Sequence, residues 1–151
     1  MSRAFIKESD ETVDDLPDRP VSPYPNLVTA EGLAAIDSQV ARLQQELARA
    51  SADRAALAAI SRGLRYWTSR RASAQVLATP RDPTKVVFGC TVTFVRTDER
   101  QQTYRIVGED EANPARGSIS YISPVARALM GKKVGDVAEV GTSQIEVVSI
   151  A

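Results

Sequence analysis

The sequence contains no histidine and only one cysteine, and these two shortages exclude several kinds of site. Histidine is the usual general base near neutral pH and the commonest metal ligand, so neither role is available. The lone cysteine, Cys90, allows no intrachain disulfide and no thiolate zinc site. Because Cys90 lies in a strand-like run, we expect a buried, inert thiol rather than a nucleophile. We therefore predict no metal site and no cofactor.

Long hydrophobic runs are equally scarce. No apolar stretch approaches the roughly 20 residues that a membrane-spanning helix requires. The first residues also lack the hydrophobic segment of a secretory signal peptide. We therefore expect a cytoplasmic protein without a membrane partner. Its 151 residues are enough for one ordinary domain or two small ones.

The chain has no net charge, with 19 acidic and 19 basic side chains, but the two signs are unevenly distributed. Residues 1–26 carry six acids against three bases and are interrupted by four prolines, a composition that predicts a disordered acidic arm. Residues 54–85 carry seven bases against one acid. A basic segment of this kind fits either an anionic partner or an ordinary solvated face.

Two apolar stripes predict a pair of helices between residues 27 and 77. Their spacing follows a heptad seam, and two such helices joined by a short turn form an antiparallel hairpin, a short coiled coil. Thr29 and Asp53 can cap the two helices. Pro80 and Pro83 then predict a linker at residues 78–85. The stripes consist of Leu33, Ile36, Val40, Leu43 and Leu47, followed by Leu57, Ile60, Leu64 and Trp67.

Residues 86–151 have the pattern of a second domain. Apolar and polar residues alternate from Phe88 to Val95, which is typical of a half-buried strand. Further short strand patterns follow, and Ser123 can cap a short helix that begins at Pro124. Five strands and one helix predict an antiparallel sheet packed on a helix, so the fold class is α+β.

This second domain carries a family resemblance. The run Ser123-Pro-Val-Ala-Arg-Ala-Leu-Met-Gly-Lys-Lys-Val-Gly-Asp136, preceded by Tyr104-Arg-Ile-Val-Gly-Glu-Asp-Glu111, resembles the C-terminal domain of the bacterial GreA/GreB transcript-cleavage factors. The resemblance implies an FKBP-like version of the fold and RNA polymerase as the partner. It also implies that the hairpin enters the secondary channel of the polymerase, while the C-terminal domain holds the rim of that channel.

The resemblance also implies site residues. Ile122, Ser123 and Pro124 belong to the region that the family presents to the polymerase, which makes them candidate polymerase-binding residues. Basic residues of the hairpin would lie near nascent RNA or DNA in the elongation complex, where phosphate contacts are sensitive to salt. These candidates are Arg54, Arg62 and Arg65, and a solvated face explains them nearly as well.

The predicted hairpin tip departs from the family pattern. Cleavage-competent members carry two acids there that help to place a second magnesium ion, whereas residues 48–54 contain only Asp53. The arms are also short, as in the Rnk-like members. The resemblance therefore implies a regulator that is not itself an enzyme and that stimulates transcript cleavage weakly or not at all.

Two other classes of function stay open. An FKBP-like domain can be a peptidyl-prolyl isomerase or a peptide-binding module, but these need a deep aromatic pocket. The domain offers Phe88, Phe94, Tyr104 and Tyr121 for such a pocket. A helical hairpin can also serve as a self-associating scaffold, although we expect a monomer.

Overall fold

The computed structural model describes residues 16–50 and 53–151. The predicted α+β class is confirmed, with a helical hairpin and a sheet that is mostly antiparallel. The helices are α1 (Ala30–Arg49), α2 (Arg54–Ser73) and α3 (Pro124–Leu129), with one 3-10 turn at Pro114–Arg116. The strands are β1 (Leu27–Val28), β2 (Gln75–Val76), β3 (Thr91–Arg96), β4 (Gln101–Val107), β5 (Ser118–Ser120), β6 (Val137–Val140) and β7 (Ser143–Ile150).

The chain divides into two compact units. Of the described residues, the first unit holds 16–25, 34–50 and 53–74, and the second holds 26–33 and 75–151. The predicted boundaries at residues 26, 77 and 85 stay predictions. Residues 1–15 of the predicted acidic arm lie outside the described residues.

The hairpin of the first unit contains two helices of 20 residues each. Ile36 and Leu43 are the most buried members of the predicted stripes, at 2% and 6% exposure. Gly63 faces Leu43 so closely that a Cβ on the glycine would lie 3.3 Å from Leu43 Cδ1. A glycine inside α2 therefore lets the two helices approach each other, a contact that the stripes did not include.

The second unit begins with a short parallel ladder between β1 and β2. The Gln75 amide donates to the Asn26 carbonyl at 2.9 Å, and the Leu77 amide donates to the Val28 carbonyl at 2.9 Å. The chain therefore enters α1 and leaves α2 through neighbouring strands. The sequence patterns did not predict this pair, because two residues are too few for a periodicity.

The main sheet has the strand order β5-β4-β3-β7-β6. All neighbouring pairs are antiparallel except β4 and β5, which run parallel. A register shift between Thr93 and Phe94 interrupts the pairing of β3 with β7. The core lies between this sheet and α3, whose Ala126 and Leu129 are fully buried. Every member of the core cluster falls between residues 86 and 147.

The strand bounds differ from the predicted pattern mainly at β3. The alternation begins at Phe88, but the strand begins at Thr91, because Gly89 adopts a left-handed φ of 88° in a turn. The Cys90 amide donates to the Val87 carbonyl at 3.2 Å and closes this turn, and the Gly89 amide joins it to β4 by donating to the Ile106 carbonyl at 2.8 Å. Gly131, with a φ of 82°, follows α3 as its spacing predicts.

Helices of the membrane-spanning kind, both long and apolar, are not found within residues 16–50 and 53–151.

Candidate functional site

The start of α1 is held by a carboxylate from a distant loop. The Thr29 amide donates to Glu111 Oε2 at 3.1 Å, and the Thr29 hydroxyl donates to Glu111 Oε1 at 2.5 Å. Thr29 Oγ1 in turn accepts from the Gly32 amide at 3.0 Å, which confirms the predicted cap. Thr29 is completely buried. Glu111 and Thr29 thus form a clamp that fixes the first turn of α1 within the second unit.

Two glycines make room for this clamp. A Cβ on Gly32 would lie 1.8 Å from Glu111 Oε2, and one on Gly108 would lie 2.3 Å from the Leu27 carbonyl oxygen. The sequence patterns did not predict this role for Glu111. Gly32, three residues after the capping Thr29, was the signal in the sequence. Helix interiors disfavour glycine, so a glycine there indicates a close contact with another group.

An ion pair between Arg105 and Glu31 lies close to the clamp in the sequence of α1. Arg105 Nη2 is 3.6 Å from Glu31 Oε2 and donates to Thr79 Oγ1 at 2.8 Å. Arg105 Nε donates to the Gly89 carbonyl at 3.2 Å. A backbone hydrogen bond and the charge of Arg105 lower the pKa of the Glu31 carboxyl.

At the hairpin tip, the structure gives Asp53 the geometry of a helix cap. Its Oδ1 accepts a hydrogen bond from the Ala56 amide at 3.3 Å. The nearest other acid in the sequence, Glu46, instead forms a 2.6 Å ion pair with Arg42. Within residues 16–50 and 53–151, no cluster of three or more acids and cysteines could hold a metal ion. Asp53 and Glu46 therefore each have a partner within the hairpin.

The predicted basic face of α2 is occupied by the end of the N-terminal arm. Arg62 Nε donates to the Pro17 carbonyl at 2.7 Å. Arg65 Nε forms a 2.6 Å ion pair with Asp18 Oδ1. The two arginines lie on one side of α2, as predicted, but the structure gives both of them partners from this chain. Their nearness to a nucleic acid stays a prediction.

Arg54 belongs to the same side of α2. It is exposed as the first residue of the helix, and it lines a surface groove together with Arg65. The structure therefore places Arg54 and Arg65 along one groove, and Arg62 is not part of the described lining. Leu57, Ala58 and Ser61 form the rest of this lining among the described residues.

Ile122, Ser123 and Pro124 connect β5 to α3. Ser123 Oγ accepts from the Ala126 amide at 3.4 Å, which confirms the predicted cap, and Pro124 is the first residue of the helix. The Ile122 amide donates to Ser120 Oγ at 3.2 Å. Pro124 is exposed, whereas Ile122 and Ser123 are half-buried. Their contact with a polymerase stays a prediction.

The segment after α3 carries an apolar surface that the predictions did not include. Met130, Val134 and Val137 are 37%, 60% and 50% exposed. Met130 and Val134 lie between α3 and β6, and Val137 is the first residue of the edge strand β6.

Comparison with known proteins decides the family. The C-terminal domain model of the transcription elongation factors GreA/GreB matches residues 81–151. The transcription elongation factor GreA of Methylobacterium sp. strain 4-46 is 35% identical over 137 residues, which cover 76% of this chain and 87% of that protein. The chain belongs to the GreA/GreB family.

Other GreA/GreB relatives match over shorter or more divergent stretches. GreA of Hyphomonas neptunium is 54% identical over 71 residues, so the aligned part covers only 44% of this chain and 45% of that protein. Among solved structures, the GreA factor homolog Gfh1 of Thermus thermophilus is 21% identical, with a TM-score of 0.41 over 85% of this chain and 99% of that one. A GreA/GreB factor of Nitrosomonas europaea is 19% identical, with a TM-score of 0.40 over 83% of this chain and 98% of that one.

The aromatic side chains of this GreA/GreB domain are used in internal contacts. Phe94 is fully buried and stacks on Tyr104 with ring centroids 6.2 Å apart. Phe88 meets Tyr121 edge to face at 5.8 Å. These four aromatic side chains are therefore packed against each other in two pairs. Cys90 is buried as predicted, and this burial raises the pKa of its thiol.

Proposed function

We propose that this GreA/GreB protein is a cytoplasmic, RNA polymerase-binding regulator of transcript elongation with weak or no stimulation of transcript cleavage. In this proposal the hairpin enters the secondary channel and the C-terminal domain holds the rim. The protein is not itself an enzyme. It acts by occupying the channel in competition with cleavage-competent relatives.

The hairpin tip is the observation that carries this proposal. Magnesium requires several oxygen ligands in near-octahedral geometry and gives up its water reluctantly, so convergent carboxylates are needed to place a second ion. The tip supplies Asp53, whose Oδ1 already accepts the Ala56 amide, and Glu46 is paired with Arg42. One carboxylate committed to a cap is a poor ligand set, which supports binding without cleavage.

The proposed polymerase-binding surface combines Ile122, Ser123 and Pro124 with the exposed apolar segment that follows α3. Central parts of protein interfaces are enriched in apolar groups and depleted of charge, and Met130, Val134 and Val137 fit that description. On this basis Val134→Asp weakens polymerase binding, whereas Val148→Asp, at a 43% exposed valine of β7, has little effect. Equal binding by both variants, measured by fluorescence titration, would remove this surface from the proposal.

The deciding experiment uses backtracked elongation complexes made with purified polymerase. The wild type is expected to bind them, to release little or no cleaved RNA, and to reduce the cleavage that a cleavage-competent Gre factor produces. Asp53→Asn leaves binding and competition unchanged, because Asn caps a helix as well as Asp does. Asp82→Asn is the matched control for the lost charge.

Two results would contradict the proposal in different ways. Efficient cleavage by the wild type, abolished by Asp53→Asn but not by Asp82→Asn, would show that the single carboxylate is sufficient for magnesium placement. No binding to the polymerase at any concentration would instead reject the partner itself.

A further inference from the structure

Three consecutive residues of the arm meet one side of α2. The Pro17 carbonyl accepts from Arg62, and the Asp18 carboxylate pairs with Arg65. The Arg19 guanidinium carbon lies 3.8 Å from the ring centroid of Tyr66 and 5.7 Å from that of Trp67. We name residues 16–19 the strap.

The contacts of the strap follow the helix. Arg62, Arg65 and Tyr66 are three and four residues apart, a spacing that places side chains on one face of a helix. The strap meets this face with three different interactions: a backbone hydrogen bond, an ion pair and a cation–π contact. Each interaction uses a different residue of both partners. Such a one-to-one correspondence is more specific than general attraction between an acidic arm and a basic helix.

The strap occupies the groups that an anion would use. A guanidinium presents its N–H donors in a fixed planar fork that suits carboxylate and phosphate alike. In the structure the Nε donors of Arg62 and Arg65 point to oxygens of residues 17 and 18. A phosphate oxygen can accept from these two Nε donors only after the strap has released them.

We propose that the strap is an internal competitor for the basic face of α2, and that the phosphate backbone of single-stranded nucleic acid displaces it. The choice of nucleic acid as the anion rests on the proposed function, whereas the strap contacts do not. The bound strap lowers the affinity of the free protein for any RNA or DNA. Its basic face becomes available where the local concentration of phosphate is high.

The exposure of the ion pair makes the strap displaceable. The side chains of Arg65 and Asp18 are 51% and 72% exposed, so water and salt screen their attraction. A nucleic acid strand offers a row of phosphates and releases counterions when it binds, which a single carboxylate cannot match.

The first measurement tests the strap without any nucleic acid. Trp67 is the only tryptophan of the chain and lies next to Arg19, so its fluorescence reports on strap contact. The wild-type emission is expected to change as salt rises. Asp18→Asn should already have the high-salt emission at low salt. The matched control is Asp98→Asn, because Asp98 also forms an exposed 2.6 Å pair with an arginine, Arg100. It should behave as the wild type does.

The second measurement is the binding of a fluorescein-labelled single-stranded RNA of twelve nucleotides at low salt. Releasing a surface contact of this kind should raise the affinity of Asp18→Asn by about two- to fivefold over the wild type. The effect of Asp98→Asn should be smaller, and Arg62→Gln with Arg65→Gln should remove the gain. In the wild type, RNA should also produce the high-salt emission of Trp67.

Each contrary outcome has a distinct meaning. Identical Trp67 emission from the wild type and Asp18→Asn at all salt concentrations would overturn the strap. Equal gains in RNA affinity from Asp18→Asn and Asp98→Asn would overturn the competition and leave only a charge effect. Absence of RNA binding by every variant would reject nucleic acid as the competitor. Because these assays contain no polymerase, they are independent of whether the protein binds one.

Discussion

The substitution Leu43→Asp tests the packing of the hairpin most directly. Leu43 is 6% exposed and contacts the position of Gly63, where α1 and α2 approach each other closely. An aspartate at this position loses the leucine contacts and brings a carboxylate into the interface. No partner for this new charge is provided by Gly63, and the adjacent stripe residues are apolar.

The expected cost has two parts. Removing a buried leucine side chain costs about 2–5 kcal/mol, and the lower end applies here because the hairpin interface is thin. Burying an unpaired carboxylate adds several kcal/mol, unless the helices separate and let water reach it. A total of about 5 kcal/mol is comparable with the whole stability of many domains. We therefore expect the hairpin to open while the sheet of the second unit stays folded.

Circular dichroism and heteronuclear NMR can separate these two responses. The two 20-residue helices dominate the helical signal over the six-residue α3, so the loss of the hairpin should remove most of it. Amide signals from β3, β4 and β7 should keep their dispersion. Leu47→Asp is the matched control, because Leu47 belongs to the same stripe but is 37% exposed. Equal helicity and melting temperature for the two variants would refute the packing of Leu43 against α2.

Four further predictions concern the second unit. Glu111→Ala leaves the buried donors of Thr29 without their carboxylate and should cost about 1–3 kcal/mol in chemical denaturation, whereas an unchanged midpoint would contradict the clamp. Ser123→Ala removes the cap of α3 and should lower the free energy of unfolding by about 0.5–2 kcal/mol in the same assay. Folding lowers the pKa of Glu31, so its contribution to stability is present above the ordinary carboxyl pKa and is lost as pH falls through the folded value. Acid titrations should therefore show Glu31→Gln and wild type converging in stability only below the ordinary carboxyl pKa. Residues 86–151 should fold alone, since the core cluster lies within them, and poor dispersion in the NMR spectrum of that fragment would reject the boundary.

Local sequence patterns were sufficient to predict the helices and their caps. The heptad spacing of the stripes places α1 and α2, and Thr29, Asp53 and Ser123 cap their helices as short-range rules predict. These features depend on residues within one or two turns of each other. The strand β6 is likewise bounded by local features, because Gly135 and Gly141 on either side of it have left-handed φ angles.

Features that join distant segments could not be predicted in this way. The Glu111 clamp spans 82 residues of sequence, and the Arg65 contact with Asp18 spans 47. The periodic pattern of apolar residues does not indicate which acid contacts which partner across such separations. The parallel pairing of β5 with β4 escaped prediction for a related reason, since three residues of strand are compatible with either direction.

The ladder between β1 and β2 makes the hairpin a closed loop with fixed ends. Hydrogen bonds of Asn26 and Val28 with Gln75 and Leu77 hold those ends together, whatever lies between them. Closure entropy rises only with the logarithm of loop length, about 0.6 kcal/mol for each doubling. A heptad added to each helix would therefore extend the hairpin by about 10 Å without altering its base. The length of the hairpin can therefore change in evolution while the two strands that hold its ends together stay the same.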